Sequence, residues 1–575
     1  MKNQTLWVGL IVGCCITLVF QYSLLLHMFS PLGIEHGDAF LVYFILKHWM
    51  QVLLGAGQLI GTLPMFHGYD GSLFFTDHHA FYAVVAVPFF LLSKNIVFSA
   101  HAVVISMVMF SFVSMYMFIW YMTKNAMAAL ISGILFVLNP FVFARYPDQL
   151  NLINLGWIPL VFLFFEKSIH KSGKDVSMLY FFLCLAGQVA SSLYYSVFLS
   201  IFLPIYIGIR WLQERFSWRT WVNIPSFVGF AVFSAVLGIT IHLYQGVYAK
   251  YPLSRTGVVA QTYAARSTDW LFTSENNVLF GNLKKWATMQ FPDYVRSGIY
   301  SEHNLFPGLV FIIFLLCGVF MRRLLVHKNQ FSILLWFLLI FAWILSLGPS
   351  HWFGSTAEFN PLYRVLYALH PYLQSIRTTS RFAVFVYFFG AWIAAYVWVH
   401  VSKRMSKEHM RFFFVTVASV LLLEYWNKPL SYVEITSQKQ EVYAQISKDA
   451  DIQVILEYPI GNLISYPYPQ ARSEDLDAHY LLWASILHEK KLYNGYSGFL
   501  PESYYKTANA LSVNFPTDDK LLQLKKAGVD VVVVHRDEFL DTSVYETFCA
   551  AMRARGVPVF LSLADEMVFD LRKWK

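Results

Sequence analysis

The sequence predicts a polytopic α-helical membrane protein with a soluble α/β domain following its last membrane span. Three observations predict it. The chain of 575 residues is 57% hydrophobic and only 14% charged, whereas soluble globular chains carry roughly 25% charged residues. Apolar stretches near the length that crosses a bilayer, about 20 residues as helix, recur through the first three quarters of the chain. The acids are also segregated: 20 of the 35 Asp and Glu follow Lys428. With 53 Phe, 34 Tyr and 17 Trp, the chain holds too much apolar surface to be disordered. The net charge of +8 does not mark a nucleic-acid binder, because the bases sit between apolar stretches rather than on one soluble face.

Taken in order, the first span is Leu6 to Met28, preceded by Lys2 and lacking a small-residue cleavage site, hence an uncleaved span. Ten more follow at about 98–122, 126–142, 151–165, 176–192, 195–210, 222–245, 305–321, 331–348, 381–400 and 412–427. About eleven spans result. With the amino terminus in the cytosol, the bases Lys124, Lys167, Lys171, Lys174, Arg210, Arg215, Arg219, Arg322, Arg323, Lys328, Lys403, Arg404, Lys407 and Arg411 fall on the inner side. Residues 1–428 then form the membrane domain, with outer loops at 29–97, 246–304 and 349–380. Residues 429–575 form an outer α/β domain, periplasmic or extracellular, and the protein resides in the cytoplasmic membrane. Ala80–Leu92 is too short to span and, with Asp38–Leu54, is expected to lie as a helix along the outer surface. The second of these has Phe40, Leu41, Phe44, Ile45, Trp49 and Leu53 on roughly one face. In the tail, strands are expected at Ile452–Tyr458, Val529–His535, Val557–Ser562 and Met567–Leu571. A helix bearing Leu521, Leu522, Leu524 and Ala527 precedes Gly528.

The residues able to carry chemistry gather at outer membrane boundaries. Asp38 follows the first span. Asp77, His78 and His79 precede the second surface helix, and Asp148 lies in the loop between the third and fourth spans. Each acid alone reads equally as a helix N-cap. Three on one side, each at a boundary where an unused charge is costly, point to function. The adjacent His78 and His79 face apart on a helix, so they do not make a metal site together. No Cys-x-x-Cys or His-rich spacing is present, and the five cysteines imply no disulfide framework. A divalent cation has no motif to hold it.

These stretches resemble the GT-C superfamily of polytopic membrane glycosyltransferases, and more closely a prokaryotic group with an outer C-terminal domain. The resemblance rests on the acid after the first span, two surface helices and a second acid after the third span. It also rests on Phe75–Leu92, Asn139–Phe165, Ser267–Gly281, Glu302–Gly308, Leu373–Phe382, Leu456–Pro459 and Asn494–Pro501. It implies transfer of a sugar from a polyprenyl-phosphate-linked donor to a glycan, lipid or protein acceptor, among membrane lipids and without nucleic acid. By position it gives Asp38 the role of base, with Asp148 as second acid. Inverting transfer also needs a positive site for the leaving lipid phosphate. Arg145, Arg255, Arg266, Arg377 and Arg381 are available. Arg377 and Arg381 come first, being four apart and on one face if helical. Glu302 and His303 are further candidates for the cavity, and Asp77 and His78 for the acceptor side. The second acid stands in Asp-Gln-Leu rather than in a paired-acid motif, so metal coordination is not implied. The competing classes are a transporter or flippase for lipid-linked glycans, and a non-catalytic assembly protein on the same scaffold. Against transport, neither internal repeats nor mid-membrane charges stand out.

Overall fold

The structure is a computed structural model. It describes residues 2–33, 35–55, 61–169, 176–216, 221–252, 257–292, 294–295, 301–321, 329–349, 360–461 and 476–575. Lys171, Lys174, Arg219, Arg255, Arg322, Arg323 and Lys328 lie outside the described residues.

Each expected span carries a helix. Six helical stretches among the described residues are long and apolar enough to cross a membrane: Ile96–Thr123, Ala126–Phe143, Leu150–Ile169, Leu193–Glu214, Ile224–Lys250 and Thr379–Ser402. Gln4–Phe20, Ser177–Ser191, Leu309–Met321 and Phe331–Ser346 are apolar but shorter, and so is Ala80–Ser93. The protein is a multi-pass membrane protein. Its helix Ile224–Lys250 makes the physical point most sharply. That helix is nearly as apolar as the best of the others, yet only 17% of its most apolar window is buried, with Ile224 and Phe227 more than 70% exposed. Water would penalise such a surface and lipid does not.

The chain divides into two compact units. One comprises Met1–Leu26, Val104–Ile239 and Ser254–Pro429; the other His27–Val103, Thr240–Leu253 and Leu430–Lys575. The first unit is helical and centred on Ala383–Ser402, whose side chains are buried almost throughout. Phe388 and Trp392 pack there against Phe118 and Phe162. Gly390 is required by closeness, since a Cβ would fall 2.2 Å from the Phe311 ring. A buried ion pair lies in this unit. Glu166 accepts from Arg210 Nε at 2.8 Å and from the Tyr206 hydroxyl at 2.5 Å, so Arg210, one of the bases expected on the inner side, carries its own counter-ion.

The second unit joins the 430–575 tail to residues 27–103 and 240–253. Its sheet runs in the order β2 (Lys491–Leu492), β1 (Val454–Tyr458), β3 (Val531–His535), β5 (Glu566–Asp570), β4 (Val559–Ser562), with β2–β1–β3 parallel and β3–β5–β4 antiparallel. Four strands match the sequence reading; two-residue β2 was too short to register. The β3–β5 register sets His535 opposite Glu566, and Glu457 reaches the same ring from β1. His535 Nδ1 is 2.5 Å from Glu566 and Nε2 is 2.9 Å from Glu457, while Lys439 approaches Glu566 at 3.1 Å. Burial alone would lower the His535 pKa; the two carboxylates outweigh it and push it up to about 9.

Helix Gly37–Leu53 departs from the expected one-faced surface helix. Val42, Tyr43, Leu46 and His48 are buried along with Phe40 and Ile45, while Leu53 is exposed. Helices Leu476–Ile486 and Ala80–Ser93 cover it from two sides, so it is an interior helix of its unit.

Candidate active site

In the second unit, none of the acids singled out by sequence serves as an N-cap. The cap residue of Gly37–Leu53 is His36, and Asp38 lies inside the first turn. The cap of Ala80–Ser93 is His79, not Asp77. Asp38 is half-buried, and its Oδ1 accepts a hydrogen bond of 2.8 Å from the Tyr496 hydroxyl. Gly37 lets the helix start lie close to Leu476–Ile486, since a Cβ there would meet Ala478 at 3.2 Å.

The segment before helix Ala80–Ser93 is held as firmly. Trp49 Nε1 donates to the His78 carbonyl at 2.7 Å, and the Tyr244 hydroxyl donates to the Thr76 carbonyl at 2.6 Å. The Ala80 amide donates to His78 Nδ1 at 3.1 Å, which leaves the proton of the neutral ring on Nε2. Burial lowers the His78 pKa to about 4 and the His79 pKa to about 3, so both rings are neutral near pH 7. His79 is in the left-handed region at φ 52°, uncommon for a residue with a Cβ. Asp77 is half-buried beside them.

In the first unit the arginines are arranged differently from the sequence reading. Asn139 Oδ1 caps the one-turn helix Pro140–Phe143, while its Nδ2 donates to the Leu135 and Phe136 carbonyls. The chain turns there and brings Arg145 inward. Arg145 stacks 3.8 Å over the Phe141 ring and pairs with Glu302 Oε2 at 2.5 Å. Arg381 Nε and Nη2 lie 2.9 and 2.5 Å from Glu302 Oε1. All three side chains are buried. Burial alone would raise the Glu302 pKa, but Arg145 and Arg381 hold it well below the usual carboxylate range. Arg377 and Arg381 do not share a helical face, because residues 376–378 are extended and only Thr379–Phe382 forms a turn. Arg377 instead lies 4.9 Å from the Tyr263 ring, with its Nε buried and without a hydrogen-bond partner among the described residues.

The neighbouring segments brace this triad. Asp269 Oδ2 accepts from the Arg266 amide at 2.8 Å and lies 3.2 Å from His303 Nδ1. The Leu305 amide donates to the Asp269 carbonyl at 3.1 Å. His303 therefore has an internal carboxylate partner. Asp148 is half-buried in the turn after Phe143, one residue ahead of Gln149, which caps the next helix. Glu424 accepts from the Leu309 and Val310 amides and closes the start of Leu309–Met321. Among the described residues, no group of three or more His, Cys, Asp or Glu is placed to hold a metal ion.

No protein-family model and no curated protein sequence matches the chain. Solved structures do. The mycobacterial arabinofuranosyltransferase AftD superposes with a TM-score of 0.57 at 12% identity, over 98% of this chain and 40% of that one. The apo oligosaccharyltransferase of Archaeoglobus fulgidus gives 0.52 at 10% identity, over 99% and 75%. The chain has the GT-C fold. It spans about two fifths of the length of the AftD chain it matches.

Two residues of this GT-C fold that bear on the site escaped the sequence reading as site residues. Tyr496 was visible only as part of a Gly-flanked turn, and nothing local linked it to a carboxylate 458 positions away. Asp269 lay inside a recognisable stretch, Ser267–Gly281, but its pairing with His303 is a tertiary fact.

Proposed function

We propose that the chain is a membrane glycosyltransferase that moves a sugar from a polyprenyl-phosphate-linked donor to an acceptor hydroxyl or amide at the outer face of the cytoplasmic membrane. The observation that carries this reading is Asp38. It is a half-exposed carboxylate in the first turn of a helix that another residue caps, and its Oδ1 accepts from the Tyr496 hydroxyl. In this reading Asp38 takes the acceptor proton and the sugar is displaced with inversion. Asp148 orients the acceptor, with Asp77 and His78 on the acceptor side. A neutral His78 with its proton on Nε2 suits a hydroxyl group.

The lipid phosphate falls to Arg377. Arg381 and Arg145 are committed to Glu302, and their cluster keeps one net positive charge behind it. Arg377 retains an unfilled donor at Nε, and guanidinium binds phosphate well. Arg266 and His303 shape the adjoining loops through Asp269.

The test is Asp38→Asn in purified, detergent-solubilised protein, assayed with a panel of short-chain polyprenyl-phosphoryl sugars that includes the arabinofuranose named for AftD. Loss of roughly 10²–10⁴-fold in turnover with donor binding retained supports the base. Near-normal turnover removes it.

A further inference from the structure

Resting on the reading of Asp38 as base, we propose that Tyr496, supplied by the tail, is its positioning residue.

The placement of Tyr496 is dictated by its neighbours. Asn494 side-chain Oδ1 accepts from the Glu457 amide at 2.8 Å, and its Nδ2 donates to the Glu457 carbonyl and to Asp477 Oδ1, each at 3.0 Å. The loop is thereby tied to the end of β1. One residue on, the Gly495 amide donates to the Tyr504 hydroxyl at 2.8 Å, and a Cβ on Gly495 would come within 2.2 Å of the Phe66 ring. The Phe66 amide in turn donates to the Asn494 carbonyl at 2.9 Å. Three residues past Tyr496, Phe499 packs edge-on against Phe75 with centroids 5.5 Å apart. Fixed on both sides, the Tyr496 ring delivers its hydroxyl to Asp38 Oδ1.

The chemistry gives this bond a purpose. A carboxylate waiting for a proton is reactive only through the oxygen that faces the acceptor. A phenol on Oδ1 fixes the rotation of the carboxyl group and with it the direction in which the carboxylate meets the acceptor. The phenol keeps its own proton throughout, so no bond to it is made or broken in the transfer. This separates its effect from that of Asp38: it acts on geometry, in the rate and not in substrate binding.

The test uses the full chain in detergent and the isosteric Tyr496→Phe, which keeps the ring. The first readout is modification of Asp38 by a water-soluble carbodiimide, followed by peptide mass spectrometry at fixed pH. A charge-assisted hydrogen bond at a half-exposed site should protect about five- to tenfold, so Tyr496→Phe raises the labelling rate by that factor. The second is turnover of farnesyl-phosphoryl arabinofuranose with an octyl glycoside acceptor. Here kcat falls about tenfold and KM stays within about twofold. An unchanged labelling rate overturns the proposal. Faster labelling with unchanged turnover, in a protein that Asp38→Asn inactivates, also overturns it, because the bond is then real but idle. If Asp38→Asn itself turns over normally, the base reading fails and the positioning role falls with it, and the labelling result shows which of the two was at fault.

Discussion

Replacing Glu302 by Gln isolates the electrostatics of the first unit. The change keeps the side chain's shape and one acceptor oxygen but removes the carboxylate shared by Arg145 and Arg381. Both guanidiniums are then left almost wholly out of water, with side-chain exposures of 0% and 7%. Breaking a buried pair from one side typically costs about 3–5 kcal/mol, because the remaining charge is uncompensated. Gln retains part of the hydrogen bonding, but two charges are stranded rather than one, so the expected loss for Glu302→Gln is about 4 kcal/mol. Against a usual total of about 5–15 kcal/mol, that is a severe defect. Unfolding of parent and variant in mixed detergent micelles, followed by circular dichroism as the SDS fraction rises, measures the difference. The companion variant Arg145→Met, Glu302→Leu, Arg381→Met removes the charges together and should recover most of the loss. The pH dependence is a further check. A carboxyl whose folded pKa is depressed contributes stability that is present above its unfolded value near 4.5 and is lost only as pH falls through the depressed one. The gap between parent and Glu302→Gln should therefore be flat from about pH 5 to 9. A Glu302→Gln protein within about 1 kcal/mol of the parent would refute the reasoning, since the triad could not then be buried and mutually dependent.

Two further outcomes follow from the structure. Arg377→Ala should weaken binding of undecaprenyl phosphate, measured by competition with a fluorescent analogue, by about tenfold or more, the scale of one charge-assisted contact; equal binding would make Arg377 an interfacial anchor. In the tail, burial raises the Asp477 pKa to about 8, so its stabilising proton is fully held below about pH 4 and lost as pH rises through about 8. His535 acts in the same direction between about 6.5 and 9. Hydrogen exchange at β1 and β3 in the full chain should therefore speed up toward alkaline pH, beyond the intrinsic rise in exchange rate. Asp477 supplies up to about 1.4 kcal/mol of that slope per pH unit, and Asp477→Asn should flatten it between pH 5 and 8.

What could be read in advance follows from how far each signal reaches along the chain. Continuous apolar stretches betrayed the helices, and alternation of Val-rich runs with turn residues betrayed β1, β3, β4 and β5, because these are properties of neighbouring residues. The acid at position 38 was legible for the same reason, sitting directly after a span. The partners were not. Glu302 has no local sign that it will meet Arg145 from 157 positions before and Arg381 from 79 after. Spacing alone favoured Arg377 with Arg381, and the extended backbone at 376–378 defeated it. The one-faced burial expected of Asp38–Leu54 failed because a second covering layer, Leu476–Ile486, comes from the far end of the sequence. Caps misled as well: His36, His79 and Gln149 occupy positions where residue statistics favour the neighbouring Asp.

The bond between Asp38 and Tyr496 also sets a timetable. The first partner emerges early in synthesis and the second more than four hundred residues later. β5, an interior strand of the sheet that anchors the tail, is made later still. Loops of such length close slowly, so Asp38 spends the whole of chain elongation without its phenol. Under the positioning proposal, a nascent or carboxyl-truncated chain would already be threaded through the membrane yet incapable of full turnover. Competence would then arrive only with the tail, a safeguard against premature glycosyl transfer by half-made protein.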